Sequence, residues 1–101
     1  MTATIDFGLS ARTLDQLRGV LSRHTGIQRA IVYGSRAKGD FRPGSDIDLT
    51  LDAPGLMFDE LLRINGELDD LMLPYTIDLS LLKQIDNPSL LSHIERVGKL
   101  L

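Results

Sequence analysis

Cysteine is absent, so neither a disulfide framework nor a thiolate metal site is available. That fits a reducing compartment, and a cytoplasmic location is expected. No apolar run approaches the length of a membrane span, and no membrane partner is expected. Residues 1–8 carry neither the basic start nor the apolar stretch of a secretory leader, so none is expected. A basic excess is missing too. Lys and Arg number 11 against 14 Asp and Glu, a net charge of −3. This argues against a broad nucleic-acid surface and leaves room only for a local basic patch. There are no repeats, low-complexity tracts or internal linkers. At 101 residues, one domain spanning 1–101 is expected, with one core and no space for a second substrate-binding domain.

The residues that are present order themselves clearly. Residues 1–9 read as a loosely held lead-in. Leu14, Leu17, Val20 and Leu21 then recur at helical spacing over 10–24. Either Ser10 or a Thr13–Gln16 capping box can start that helix, and Gly26 can end it. Residues 29–33 read as a buried strand, and 35–38 as one helical turn. Over 46–51 the chain alternates: Asp46, Asp48 and Thr50 face one way, Ile47, Leu49 and Leu51 the other. A second long helix is expected over 56–72, with Phe58, Leu61, Leu62, Leu68 and Met72 as its core stripe. Residues 75–81 repeat the alternation, with Thr76, Asp78 and Ser80 on one face. Asn87 and Pro88 open a final helix with Leu90, Leu91, Ile94 and Val97 inward. The order predicts an α/β (α+β) fold, a small mixed sheet of three to four strands with helices covering one face. His24 and His93 show no partner pattern and read as structural or surface residues.

The chemistry lies between Tyr33 and Leu51. Gly34-Ser35 follows an apolar strand, and ten residues later Asp46 and Asp48 stand two positions apart on the next strand. At about 3.3 Å rise per residue their carboxylates lie roughly 6–7 Å apart on one face, able to bracket a divalent cation. Mg²⁺ suits such an oxygen set, with phosphate oxygens completing its shell. If the 75–81 strand is a neighbour, Asp78 brings a third carboxylate, and a cation offsets the repulsion among them. Gly34 lets a phosphate approach the backbone, where successive N–H groups can form an anion nest, and Ser35 adds a hydroxyl. Arg36, Lys38 and Arg42 are near enough in sequence to supply charge, although a solvated loop reads equally well for such residues. A Gly-Ser turn or an Asp-x-Asp alone is common in turns and strand ends. Their order, their spacing and the downstream Asp78 make a site the better reading.

These residues resemble the nucleotidyltransferase superfamily of the DNA polymerase β type. The specific part is Gly34-Ser35-Arg36-Ala37-Lys38-Gly39, then Ser45-Asp46-Ile47-Asp48-Leu49, then Ile77-Asp78-Leu79. Within the superfamily the chain looks like the minimal nucleotidyltransferases, the MNT proteins encoded beside HEPN-domain partners in prokaryotic toxin–antitoxin pairs. The resemblance implies that Gly34 and Ser35 hold the triphosphate of ATP, with Arg36, Lys38 and Ser45 as further nucleotide-binding positions. It implies that Asp46, Asp48 and Asp78 are catalytic and bind Mg²⁺, with two ions possible, and that Asp78 helps to activate an acceptor hydroxyl. It further implies transfer of AMP to a tyrosine of a HEPN-type RNase toxin, in a hetero-oligomer that silences the toxin. A small-molecule transferase of the aminoglycoside type is an alternative, as is an antitoxin that acts by contact alone. The acidic balance argues against a nucleic-acid polymerase.

Overall fold

The first helix begins where Ser10 can cap it. In the computed structural model, which describes residues 6–101, Ser10 Oγ accepts the Thr13 N–H and α1 runs Ala11–Ser22. The start is therefore Ser10 and not the Thr13–Gln16 box. After it come β1 (Arg29–Tyr33), α2 (Ser35–Lys38), β2 (Ile47–Asp52), α3 (Phe58–Asp69) and β3 (Ile77–Leu81). A 3-10 turn (Leu82–Gln84), α4 (Pro88–Val97) and β4 (Lys99–Leu100) complete the order. Asn87 caps α4 by accepting the N–H groups of Ser89 and Leu90. The fold is α+β, with a four-stranded mixed sheet in the order β3-β2-β1-β4. β1 runs antiparallel to both β2 and β4, and β2 runs parallel to β3. A parallel pair needs a crossover, and α3 supplies it.

Strand alternation divides the apolar residues between two faces. Val32, Ile47, Leu49, Leu51 and Leu81 join Leu17 and Val20 of α1 and Ile64 and Leu68 of α3 in the main core. Ile31 and Tyr33 point the other way and meet Ile94 of α4, with Leu82, Ile85 and Leu90 around them. Helices therefore cover both faces, contrary to the one-sided cover expected from the sequence. The reason is α4, whose apolar stripe has nowhere to go on the face already filled by α1 and α3.

Three further expectations change. Residues 1–5 of the lead-in lie outside the described residues, but Phe7 and Leu9 are core residues, 3% and 4% exposed. On α3 the buried side is built by Ile64 and Leu68, with Leu61 packed against the core. Phe58 and Leu62, 65% and 55% exposed, face away, because at about 100° per residue they lie well round the helix from the 61–64–68 line. Met72 falls beyond the helix end, at φ 56, and is also exposed. His24 is structural, one of the two readings the sequence leaves open. Its ring reaches from the end of α1 to Glu60 (3.2 Å) and Glu67 (3.1 Å) on α3.

Arg36 ties the lead-in to the loop after α2. It is 3% exposed. Its Nη1 donates to the Phe7 carbonyl at 2.8 Å and its Nε to the Ser45 carbonyl at 3.0 Å. The guanidinium carbon lies 5.1 Å from the Phe41 ring centre and 4.7 Å from that of Tyr75. A buried cation without a carboxylate is tolerable only with such donors satisfied and aromatic faces nearby. Arg36→Met keeps much of the volume but leaves both carbonyls unpaired. It is expected to cost about 3 kcal/mol of unfolding free energy, read as a lower urea midpoint; an unchanged midpoint would show that these contacts carry no stability.

Candidate active site

Sheet register assembles a polar row from residues far apart in sequence. Tyr33, the last residue of β1, pairs with Asp48 of β2, and Asp48 pairs in turn with Asp78 of β3. Paired residues point to the same face, so a phenol and two carboxylates share one edge of the sheet, at about 4.8 Å between strands. The next row is Ile31, Thr50 and Ser80. Exposure rises along the first row: Tyr33 is buried, Asp48 half-buried and Asp78 exposed. Asp46 is exposed and immediately precedes β2.

The chain leaves β1 through Gly34, which holds φ 73 and ψ −154. Only glycine adopts this region readily. It is needed for space as well, because a Cβ at residue 34 would overlap Asp48 Oδ2. The turn and the carboxylate therefore touch. Ser35 opens α2 directly after it.

His93 also belongs here, which the sequence reading missed. Its Nε2 accepts the Gly34 N–H at 3.0 Å, and its ring stands edge-on to Tyr33 with centroids 6.2 Å apart. One signal was available: His93 lies three residues after Leu90, so it is a polar residue on the apolar face of α4.

Crowded anions set the electrostatics. The Asp48 carboxyl is raised above its ordinary value of 3.8, first by burial, then by the charges of Asp78 and Asp46; a protonated His93 would oppose the rise. Tyr33 is raised above its ordinary 10.0, chiefly by burial and further by Asp48 and Asp78. The nearby Ser80 hydroxyl opposes that rise. Ser80 Oγ is itself buried and, among the described residues, lacks a partner at good hydrogen-bond geometry. Burial and the neighbouring carboxylates therefore favour the protonated phenol of Tyr33.

The oxygen-only donor set fits a hard cation, which would offset both the burial and the neighbouring charges that raise Asp48. Among the described residues, however, no three His, Cys, Asp or Glu side chains close on one point as a metal cage. Asp48 and Asp78 are neighbours in register and Asp46 precedes β2, but the three carboxylates do not form the convergent cluster expected from the sequence.

Of the basic residues, Arg36 departs from both sequence readings, whereas Lys38 is exposed, as the solvated alternative has it. Arg36 is not directed at the turn; its guanidinium is used inside the fold. Lys38 is at the far end of α2, where it pairs with Asp40 at 3.3 Å. Ser45 is a turn residue whose Oγ accepts the Arg42 N–H at 2.9 Å, around Pro43 and a Gly44 at φ 86. A cavity of about 540 Å³ lies elsewhere, between β1, β4 and α4, lined by Ile31, Leu91, Ile94 and Leu100 among others. None of the three aspartates lines it.

The raised Asp48 carboxyl has a consequence for stability. The folded chain holds this proton more tightly than the unfolded chain. Its contribution to stability therefore falls as pH rises from 3.8 through the raised folded value, and stays low above it. Asp48→Asn removes the charge at nearly constant shape. The metal-free variant is expected to melt at higher temperature than the native chain at pH 7, with the gain vanishing below pH 3.8. Equal melting temperatures at pH 7 would show the carboxylate to be unstrained.

Comparison with known proteins assigns the family and the fold. The family model described as "Polymerase beta, Nucleotidyltransferase" matches residues 15–101. No curated protein matches the chain. Among solved structures, a toxin–antitoxin crystallised with AMP-PNP superposes with a TM-score of 0.67 at 20% identity, covering 91% of this chain and 72% of the other. A mutant MntA-HpeT toxin–antitoxin gives a TM-score of 0.66 at 22% identity, covering 92% and 72%. At these identities the superpositions establish a shared fold. The family match spans most of the described chain, including Gly34, Ser35 and all three aspartates: this chain is a member of the polymerase β nucleotidyltransferase family.

Proposed function

We propose that the chain transfers AMP from ATP to a hydroxyl of a partner protein, that of a tyrosine, and that the partner is a HEPN-type RNase toxin silenced by the transfer. The observation that carries the proposal is the contact between the Gly34–Ser35 turn and Asp48, with Asp78 in register beside it. It joins a place for phosphates to a place for a cation and an attacking oxygen. The likeness to toxin–antitoxin structures, one of them with AMP-PNP, favours this acceptor over an aminoglycoside-like small molecule.

In the reaction, the acceptor oxygen forms a bond to the α-phosphorus and the bond to the bridging oxygen breaks, releasing pyrophosphate. The acceptor proton passes to a carboxylate, for which Asp78, the exposed member of the row, is best placed. Asp46 and Asp48 would hold Mg²⁺, which supplies charge neutralisation for the phosphates. Ser35 would bind a phosphate oxygen.

The direct test mixes the purified chain, ATP and Mg²⁺ with its genomic neighbour and reads mass. Additions of AMP to the neighbour are expected, and none from a folded, active pair would refute the proposal. Asp46→Asn with Asp48→Asn should abolish both the addition and the protection of cells, whereas an antitoxin acting by contact alone would still protect. Asp78→Asn is expected to slow transfer on the order of 10²–10⁴-fold while largely sparing nucleotide binding. Ser35→Ala should weaken triphosphate affinity by about 1–2 kcal/mol in calorimetry.

A further inference from the structure

The C-terminal segment holds the Gly34–Ala37 stretch at two points. His93 on α4 accepts the Gly34 N–H, and Lys99 on β4 donates from Nζ to the Ala37 carbonyl at 2.9 Å. The paired residues are 59 and 62 positions apart in sequence, so neither contact follows from local chain geometry. Between them lie Ser35 and Arg36, the first two residues of α2. Gly98 permits the close approach, because a Cβ there would overlap the Ile94 carbonyl and crowd Ile31 of β1. His93 is itself oriented by the edge-on Tyr33 ring. An Nε2 that accepts a hydrogen bond carries no proton, so a neutral ring must carry its proton on Nδ1.

We propose that His93 is a positioning residue for the phosphate-binding turn. Its Nε2 takes up the Gly34 N–H and holds Gly34 at φ 73 and ψ −154, so that the donors offered to a triphosphate begin at Ser35. The inference rests on the nucleotide-binding reading of that turn. It makes the turn's geometry depend on α4 as well as on the strand that precedes it. A surface or packing histidine would need only its ring; this role needs an acceptor at the Nε2 position.

Glutamine can place its Oε1 near the Nε2 position, whereas asparagine is one methylene too short and leucine has no acceptor. The test uses the full chain with His93→Gln, His93→Asn and His93→Leu, and two readouts. The first is exchange of the Gly34 amide hydrogen without nucleotide, and the second is affinity for ATP with Mg²⁺ by calorimetry. His93→Gln is expected to stay within about threefold of the native chain in both. His93→Asn and His93→Leu are expected to exchange at least about tenfold faster and to bind about tenfold more weakly. If His93→Leu does not fold, the Gln–Asn pair decides, since the two differ by one methylene. Equal affinity and equal exchange in His93→Gln and His93→Asn overturn the inference. A native chain that binds no ATP although its Gly34 amide is protected overturns the nucleotide reading, and this role with it. A native chain that binds ATP while His93→Asn binds equally well overturns the positioning role alone.

Discussion

Asp48 lies against the bare Cα of Gly34, and the site is organised around that contact. The antiparallel register of β1 and β2 sets Tyr33 opposite Asp48, so the chain leaving β1 must pass the carboxylate. A side chain at residue 34 would displace one or the other. The same β2 residue is in register with Asp78 across the parallel pair, which the α3 crossover makes possible. A slip of one residue on β2 would send Asp48 into the main core and Leu49 to the open face. The fully buried Ile47, Leu49 and Leu51 make that slip costly, so the apolar side of β2 protects the register on which its polar side depends.

The turn is held from several directions, and the cation nearest to it in sequence serves the fold. Arg36 spends its donors on Phe7 and Ser45, joining the chain before α1 to the loop that leads into β2. His93 and Lys99 hold the two ends of α2. A four-residue helix has too few internal hydrogen bonds to be stable alone, so these tertiary contacts give it a defined position.

Much of this was legible in the sequence, and the failures share one cause. Alternation located β2 and β3 and the facing of Asp48 and Asp78, since period-two patterning survives whatever the tertiary context. Asn87-Pro88 marked a helix start because capping is local. For Arg36 the sequence leaves a phosphate contact and a solvated loop charge open, and not the buried role it has, because sequence spacing gives proximity without direction. His93 was overlooked because its partner lies 59 residues away. β4, two residues long, has no pattern of its own and exists only because β1 offers an unpaired edge. The exposed Phe58 and Leu62 were placed in the core because an apolar residue on a helix does not by itself say which way the helix is turned.

The two faces of the sheet divide stability from chemistry. The face toward α1 and α3 holds the fully buried Leu17, Leu49, Leu51, Ile64 and Leu68 and supplies most of the apolar burial. The opposite face has a small cluster around Ile31, Tyr33 and Ile94, and next to it the carboxylates crowd one another. Burial, and after it that crowding, disfavours the charged Asp48 in the free protein, and a cation with a triphosphate would reverse the sign of the effect by making each carboxylate a ligand. Had the carboxylates been packed within the main core, their repulsion would have competed with the burial that sets the strand register. Placed at the edge of the lesser cluster, beneath a helix that covers only part of the face, they can remain unfavourable in the absence of ligand while the register persists.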